Sequence, residues 1–457
     1  MDLTEAADAI AGELVGESAQ FSGVSTDTRT LHGGELFFAL KGENFDGHDM
    51  CAEALTKGAV ACVVSRRSQA QYPQVVVQDT RASLGRLASY WRGKHELKIV
   101  AITGSNGKTT VKGMVAAILG GVGHVLATEG NFNNDIGLPR TLFKLGAEHQ
   151  FAVLEMGANH QGEIAQLASL AEPKVGVVTL CAPAHLEGFG SIEGVAKAKG
   201  EMFSALPSDG IAIINADDKF YDYWCDVAGK RQRLSFGIEN EHADLRAVDI
   251  VSNGIGAGMS FNLQMEGRLT AIQIPHDGVH NVMNALAAAA ASLAVGCRLQ
   301  DVVAGLAVSD IVAGRLNVHQ LNPSTRLIDD TYNANPTSLI AAAKVAVGSG
   351  DDTWVVLGEM AELGAESAML HANCGRDLRS LGVKKLFTYG EIAAAASEAF
   401  GETGSSFSSK EKLLEKLKEQ LGKLENDVPV TILVKGSRAM YMETVVEGLL
   451  RDGVNLC

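Results

Sequence analysis

Short apolar runs and longer stretches with helical periodicity alternate along almost the whole chain. The run "KIVAI" from Lys98, apolar and partly β-branched, reads as a buried strand. The segment "TTVKGMVAAIL" that follows puts Val111, Met114, Val115 and Ile118 on one helical face. The alternation continues through "FAVLEMG", "VGVVTLC" and "GIAIINADD" to "NVMNALAAAAASLAVG", the signature of a parallel sheet with helices on its faces. Upstream, "ELFFALKG", "GAVACVVS" and "VVVQDT" predict the strands of a smaller unit, and "DMCAEALTKG" predicts a helix ending at Gly58. Downstream the pattern restarts with "RLIDDTYNANP", "TWVVLGEM", "KLFTYG" and "VTILVKGS". These breaks divide the chain into three α/β units, 1–95, 96–312 and 313–457. In the last, Ser408 and Glu411 predict a capping box ahead of a leucine stripe (Leu413, Leu414, Leu417, Leu421, Leu424) that is expected to pack into the core.

Composition narrows the function. With 457 residues the chain exceeds a single core. Its net charge of −15 argues against nucleic acid as a partner, since phosphate backbones require a basic surface. An anionic ligand must then be met by locally focused positive charge. No stretch approaches the ~18 apolar residues of a membrane span, and the acidic N-terminus lacks the features of a signal peptide, so no membrane insertion is expected. Cys51, Cys62, Cys181, Cys225, Cys297, Cys374 and Cys457 are scattered singly, with no C-x-x-C pair to suggest a disulfide framework or a structural zinc. A cytoplasmic enzyme or binding protein is the expectation.

The candidate chemistry begins at "TGSNGKTT", residues 103–110. Strand, glycine loop and helix N-terminus together gather backbone N–H groups and a helix dipole, which is how proteins bind phosphate. Lys108 reaches for terminal phosphates and the Thr109 hydroxyl for Mg²⁺. The usual first glycine of G-x-x-x-x-G-K-[ST] is replaced by Ile102, leaving a shorter G-x-x-G-K-T on Gly104 and Gly107, so an ordinary strand-to-helix turn is the competing reading. Glu155 closes the strand "FAVLEMG", the strand-end position that faces the ligand crevice of an open α/β sheet; a solvated loop acid is the alternative. His185 follows the next strand, where a lone histidine by itself reads first as structural. Lys197 and Lys199 follow in "VAKAKGEMF", where a solvated face is the ordinary reading. Asn281 and Asn284, three apart at a helix start, suit either polar packing or the reading of an adenine edge or a phosphate. The N-K-x-D base reader of GTPases is approximated only by Asn215-Ala216-Asp217-Asp218, which weakens a switch-protein reading. A P-loop protein that hydrolyses ATP without ligating anything remains the contrasting class.

Taken together, "TGSNGKTT", "EMGANHQGEI", "AHLEGFGS", "AKAKGEMF", "NADD" and "GVHNVMNALAA" resemble the central domain of the ATP-dependent Mur ligases. "STDTRTLHGGELFFALKGENFDGHDM" is similar to the uridine-nucleotide-binding N-terminal domain of that family. "GNFNNDIGLPRTLF", "DDTYNANPTSL", "LGEMAELG" and "VKGSRAMYME" resemble its D-alanyl-D-alanine-adding branch. The D-N-P-R signature of the diaminopimelate- or lysine-adding branch is absent. The resemblance implies three domains: a central P-loop doubly wound parallel sheet, flanked by a small N-terminal α/β domain and a C-terminal Rossmann-like α/β domain. It implies an ATP-dependent ligase of peptidoglycan synthesis that joins D-alanyl-D-alanine to UDP-N-acetylmuramoyl-tripeptide through an acyl phosphate, as a cytoplasmic monomer. Another amino-acid ligase of the superfamily, such as a folylpolyglutamate synthetase, is the alternative.

Residue roles are carried over from the family in the same way. ATP is expected on Gly104, Ser105, Asn106, Gly107, Lys108, Thr109 and Thr110, with Asn281 and Asn284 near adenine, Arg315 at the phosphates and Asp330 at the ribose. Thr109 and Glu155 are expected to hold one Mg²⁺, and Glu155, His185 and a carbamylated Lys199 a second. Lys108, Glu155, His185 and Lys199 form the implied catalytic set. Ser25, Thr26, Asp27, Arg29, Gly42 and Asn44 are implied in uridine diphosphate recognition, Asn133 and Asn134 in sugar and peptide recognition, and Tyr332, Asn333, Asn335, Lys435 and Ser437 in the dipeptide site.

Overall fold

A computed structural model of the chain describes residues 1–69, 72–424 and 428–452. It contains three sheets, each holding one stretch of sequence. The N-terminal sheet has five strands. Gly23–Ser25, Glu35–Phe38, Ala61–Val64 and Gln74–Val76 run parallel, and Glu13–Val15 is added antiparallel at the edge. The helix expected before Gly58 is present as Cys51–Thr56, ahead of a left-handed Gly58.

The central sheet has nine strands. From Val125–Ala127 through Phe151–Glu155, Lys98–Thr103, Val175–Val178, Ile211–Asn215 and Gln232–Gly237 to Leu245–Ser252 every pairing is parallel. These strands are apolar runs because helices cover both faces; Phe151–Glu155 is buried beyond its first residue and Ile211–Asn215 throughout. The last two strands, Met259–Met265 and Arg268–Ile274, extend the parallel sheet with antiparallel pairings at its edge. Their burial alternates residue by residue, the mark of a ladder wetted on one face. That period-two signal lies in "MSFNLQM" and "RLTAIQI", between the runs on which the parallel expectation rested.

Helix Val279–Ala294 packs in the central core with the helix Lys108–Gly120. Its alanines, 287–291, allow close approach, and a Cβ on Gly305 of the adjoining helix Leu299–Ala307 would fall 2.4 Å from the Ile118 backbone. Two helices thereby clamp the one that begins at the glycine loop.

The C-terminal sheet has six strands in the order Asn317–Asn322, Thr325–Asp330, Val430–Lys435, Asp352–Gly358, Lys385–Tyr389 and Gly404–Phe407. Only the first pairing is antiparallel. The leucine stripe packs as expected, with Leu413, Leu417 and Leu421 buried and Leu414 and Leu424 against them. Its cap is Ser409 rather than Ser408: the Ser409 hydroxyl accepts from the Lys412 N–H at 3.3 Å, so the helix Lys410–Leu421 starts one residue later than the capping box requires. Among the described residues no helix is long and apolar enough to cross a membrane, and Cys51, Cys62, Cys181, Cys225, Cys297 and Cys374 are free thiols. Cys457 lies outside the described residues.

Candidate active site

The glycine loop leaves the end of strand Lys98–Thr103 and opens the helix Lys108–Gly120. Both of its glycines are obligatory on two grounds. Gly104 has φ +143° and Gly107 φ +82°, and a Cβ at these positions would lie 1.9 Å from Thr179 Oγ1 and 2.3 Å from Asn284 Oδ1. The loop is held from the neighbouring strand. Thr179 Oγ1 donates to the Asn106 carbonyl at 2.5 Å, Ser105 N–H donates to the Leu180 carbonyl, and Ser105 Oγ donates to the Ala182 carbonyl. Lys108 Nζ donates to the Gly104 carbonyl at 2.8 Å, folded over its own loop. Burial lowers its pKa against the pull of Glu155.

Glu155 is the hub of the site. It is 2% exposed, accepts from Thr109 Oγ1 at 2.9 Å on one oxygen and from Asn133 Nδ2 at 2.9 Å on the other. Its backbone N–H is held by Thr128 Oγ1. Its counter-charge is Lys112, 3.9 Å away and itself bonded to the Thr128 carbonyl. Lys112 was not anticipated, although it sits one helical turn after Lys108, a spacing visible in the sequence.

Lys199 lies on the helix Ile192–Ser204 and is 1% exposed. Its ammonium faces the Phe189 ring at 5.4 Å, and among the described residues no carboxylate lies within ion-pair distance of it, Glu163 and Glu201 acting only from further away. Burial, and then Lys108, drive its pKa down to about 7. The Phe189 ring meets His185 edge-on, at 6.4 Å between centroids. His185 itself has φ +54° and turns Nδ1 to within 2.5 Å of Glu362 Oε2, in the C-terminal unit. Among the described residues no group of three or more His, Cys, Asp or Glu side chains is arranged to hold a metal. Any cation here would rest on the Thr109 hydroxyl, one carboxylate and the lysine.

The two asparagines of the next helix form a chain: Asn284 Nδ2 donates to Asn281 Oδ1 and Asn281 Nδ2 to the Asp277 carbonyl. Asn281 also lines a cavity of about 220 Å³ at the junction of the central and C-terminal units, with His276, Asp277, Arg315 and Asn317. Among the described residues His276 Nδ1 and Arg315 Nε are buried without hydrogen-bond partners, and the Arg315 guanidinium lies over the Tyr332 ring at 4.4 Å. His280, at the same junction, is pushed down to about 4 by burial. Asp330 and Lys435 point to each other: Lys435 Nζ is 2.5 Å from Asp330 Oδ2 and 2.9 Å from the Asn333 carbonyl, with both side chains buried. Asn335 caps the helix Pro336–Val347, which Pro336 begins as expected, and exchanges two hydrogen bonds with Asn106 across the units. Ser437 Oγ joins the Ala361 N–H to the Ala334 carbonyl. Asn333 accepts locally, from Ala334 N–H.

The N-terminal candidates fall at the ends of two adjacent parallel strands, Gly23–Ser25 and Glu35–Phe38. Ser25 Oγ and the Asp27 backbone bond each other, and Arg29 forms a two-pronged pair with Asp27, whose pKa is lowered to about 2 chiefly by that guanidinium. Thr26 lies between them, and Gly42 and Asn44 belong to the turn in which Gly42 N–H donates to the Phe45 carbonyl. Asn134 Oδ1 accepts from the N–H groups of Ile136 and Gly137 at the start of Gly137–Leu142, while Thr110 lies on the loop's helix beside Thr109.

Residues 102–292 match the Mur ligase middle domain, 314–438 the Mur ligase glutamate ligase domain, and 20–92 the domain described as the Mur ligase family catalytic domain. The chain is 45% identical over 451 residues to the UDP-N-acetylmuramoyl-tripeptide–D-alanyl-D-alanine ligase of Escherichia coli strain K12, covering 99% of this chain and 98% of that protein. It superposes on the crystal structure of MurF from Acinetobacter baumannii with a TM-score of 0.92 at 36% identity, covering 98% of each chain. It superposes on MurF from Thermotoga maritima, solved in complex with ADP, with a TM-score of 0.83 at 26% identity, covering 95% and 98% of the two chains.

Proposed function

Because the chain belongs to the Mur ligase family, we propose that it is the ATP-dependent ligase that joins D-alanyl-D-alanine to UDP-N-acetylmuramoyl-tripeptide, in cytoplasmic peptidoglycan precursor synthesis. The carrying observation is likeness over the full chain to ligases of that name, with the glycine loop and Glu155 meeting at Thr109.

The γ-phosphate of ATP rests on the loop at 104–110, its charge met by the N–H groups of the helix start and by Lys108. The tripeptide carboxylate attacks it, ADP departs and an acyl phosphate forms. The dipeptide amine then adds to that carbonyl, loses a proton, and inorganic phosphate leaves as the amide closes. Positioning and electrostatics carry both steps.

The donor set fits Mg²⁺. Thr109 and Glu155 offer hard oxygens at one point, as a cation that keeps water and phosphate ligands requires. Mg²⁺ held there supplies charge neutralisation of the phosphates. His185 and Lys199 are the ligands proposed for a second ion. Lys199 qualifies through its chemistry: buried, with no carboxylate within ion-pair distance among the described residues and titrating near neutrality, its free amine can add CO₂, lose a proton and become a carbamate. Asn281 and Arg315 line the cavity proposed for the nucleoside, Asn284 is proposed to act there through its hydrogen bond to Asn281, and Asp330 borders the same junction. The residues 25–29, with Gly42 and Asn44, are proposed for the uridine diphosphate, and Asn133, Asn134, Tyr332, Asn333, Asn335 and Ser437 for the peptide ends. Lys435 is proposed to hold Asp330 and the Asn333 carbonyl in place.

Phosphate release with ATP, Mg²⁺ and UDP-linked tripeptide, with and without D-alanyl-D-alanine, tests the reading. Release is expected to require the dipeptide. Release indifferent to it would identify a hydrolase.

A further inference from the structure

Three adjacent parallel strands of the C-terminal sheet, Thr325–Asp330, Val430–Lys435 and Asp352–Gly358, end on the side facing the glycine loop, where Asn335 meets Asn106. An open α/β sheet binds ligands beyond such strand ends. The sequence-derived dipeptide candidates come from the first two strand ends only. The third, residues 359–366, carries Glu362.

That segment is built to hold one position. His371, fully buried, accepts from the Met360 N–H at 3.0 Å and bonds the Ser367 carbonyl at 2.8 Å, fastening both ends. Ser437 fastens Ala361 to the loop bearing Tyr332 and Asn333. Between these points Glu362 adopts φ +62°, a left-handed conformation that a glutamate keeps only when its surroundings impose it. Its partner His185 is held in the same region of φ.

The other carboxylates at these strand ends are engaged within their own unit or point elsewhere. Lys435 holds Asp330, Thr331 holds Asp329, and the Ile392 N–H holds Glu359. Glu366 is exposed at the N-cap of Ser367–Ser380. Among the described residues Glu362 alone of these carboxylates reaches across to the central unit, its Oε2 lying 2.5 Å from His185 Nδ1. The side chains of Glu362 and His185 are 49% and 27% exposed, so a ligand reaches the carboxylate without unfolding anything.

We propose that Glu362 is the residue that binds the ammonium end of the incoming dipeptide. The inference rests on the reaction proposed above, in which an amine must be brought to the acyl carbonyl. A dipeptide amine is largely protonated at neutral pH (pKa about 7.7–8.0), and a carboxylate at the seam between the two units is the complement it needs. Glu362 orients that end while the polar groups of the 331–335 loop take the remainder.

The test uses the full-length enzyme with wild-type, Glu362→Gln and Glu362→Asp forms, and reads KM for each substrate by phosphate release. It also reads inhibition by N-propionyl-D-alanine, the dipeptide without its amine. Glu362→Gln is expected to raise the dipeptide KM roughly tenfold, the loss of one charged hydrogen bond. Glu362→Asp should recover part of it. KM for ATP and for the UDP-linked tripeptide should stay within about twofold, and inhibition by the amine-free analogue should not change. An unchanged dipeptide KM, or a loss shared by ATP, the UDP substrate or the analogue, would overturn the assignment and leave Glu362 as an interface residue. A wild-type enzyme indifferent to the dipeptide would overturn the reaction itself, a result seen before any variant is made.

Discussion

Two lysines of this chain are equally buried, at 1% exposure each, and their surroundings are opposite. Lys435 ends a central strand of the C-terminal sheet and lies against Asp330, with the Asn333 carbonyl as a second acceptor. Lys199 lies on a helix of the central unit and has the Phe189 ring for a neighbour. Burial lowers the pKa of both, but Asp330 opposes the shift at Lys435, whereas at Lys199 the nearby Lys108 adds to it. A buried cation with a carboxylate is part of the scaffold. One without a carboxylate burdens the scaffold, and such a group persists where chemistry needs a reactive amine.

The largest effect is expected at Lys108, a third lysine that is folded onto its own loop. Lys108→Ala should lower ligation by about 10³-fold or more while UDP-substrate binding, measured by calorimetry, is kept. Surviving ATP-dependent ligation would remove the phosphate loop from the account.

Exchanging each buried lysine for methionine separates the two environments. Lys435→Met should destabilise the C-terminal unit by about 3–5 kcal/mol in urea unfolding, because Asp330 is left buried and uncompensated. Adding Asp330→Leu should restore most of that loss. Lys199→Met should do the reverse, abolishing ligation and stabilising the protein at pH 7 by about 1–3 kcal/mol. Its pH dependence has a definite sign. Lys199 titrates near 7 when folded and near 10.5 otherwise, so between those values the unfolded chain binds more protons and wild-type stability rises with pH. The methionine variant lacks that slope. Its advantage should be greatest below pH 7 and vanish by about pH 10.5; a constant gap would mean Lys199 is not desolvated. The smallest effect is at the corrected helix start: Ser409→Ala should cost about 1 kcal/mol and Ser408→Ala almost nothing.

Much of the site was legible because its signals are local. "TGSNGKTT" states a loop between a strand and a helix, and Glu155 closes an apolar strand, so the meeting of Thr109 and Glu155 follows from sheet order once the strands are assigned. Lys435 was legible only as a residue of a motif; its pairing with Asp330 needed the registry of strands more than a hundred residues apart. Glu362 was missed because "LGEMAELG" shows two ordinary acidic positions, Glu359 and Glu362, and nothing local says which one crosses to another unit.

Hydrophobic periodicity and glycine placement in the sequence alone determined three α/β units and the glycine loop between strand and helix, since both depend on residues a few positions apart. The charge states of Lys199 and Lys435, the antiparallel extension of the central sheet and the reach of Glu362 to His185 were decided by tertiary structure, because desolvation and ion pairing depend on which distant groups share a cavity.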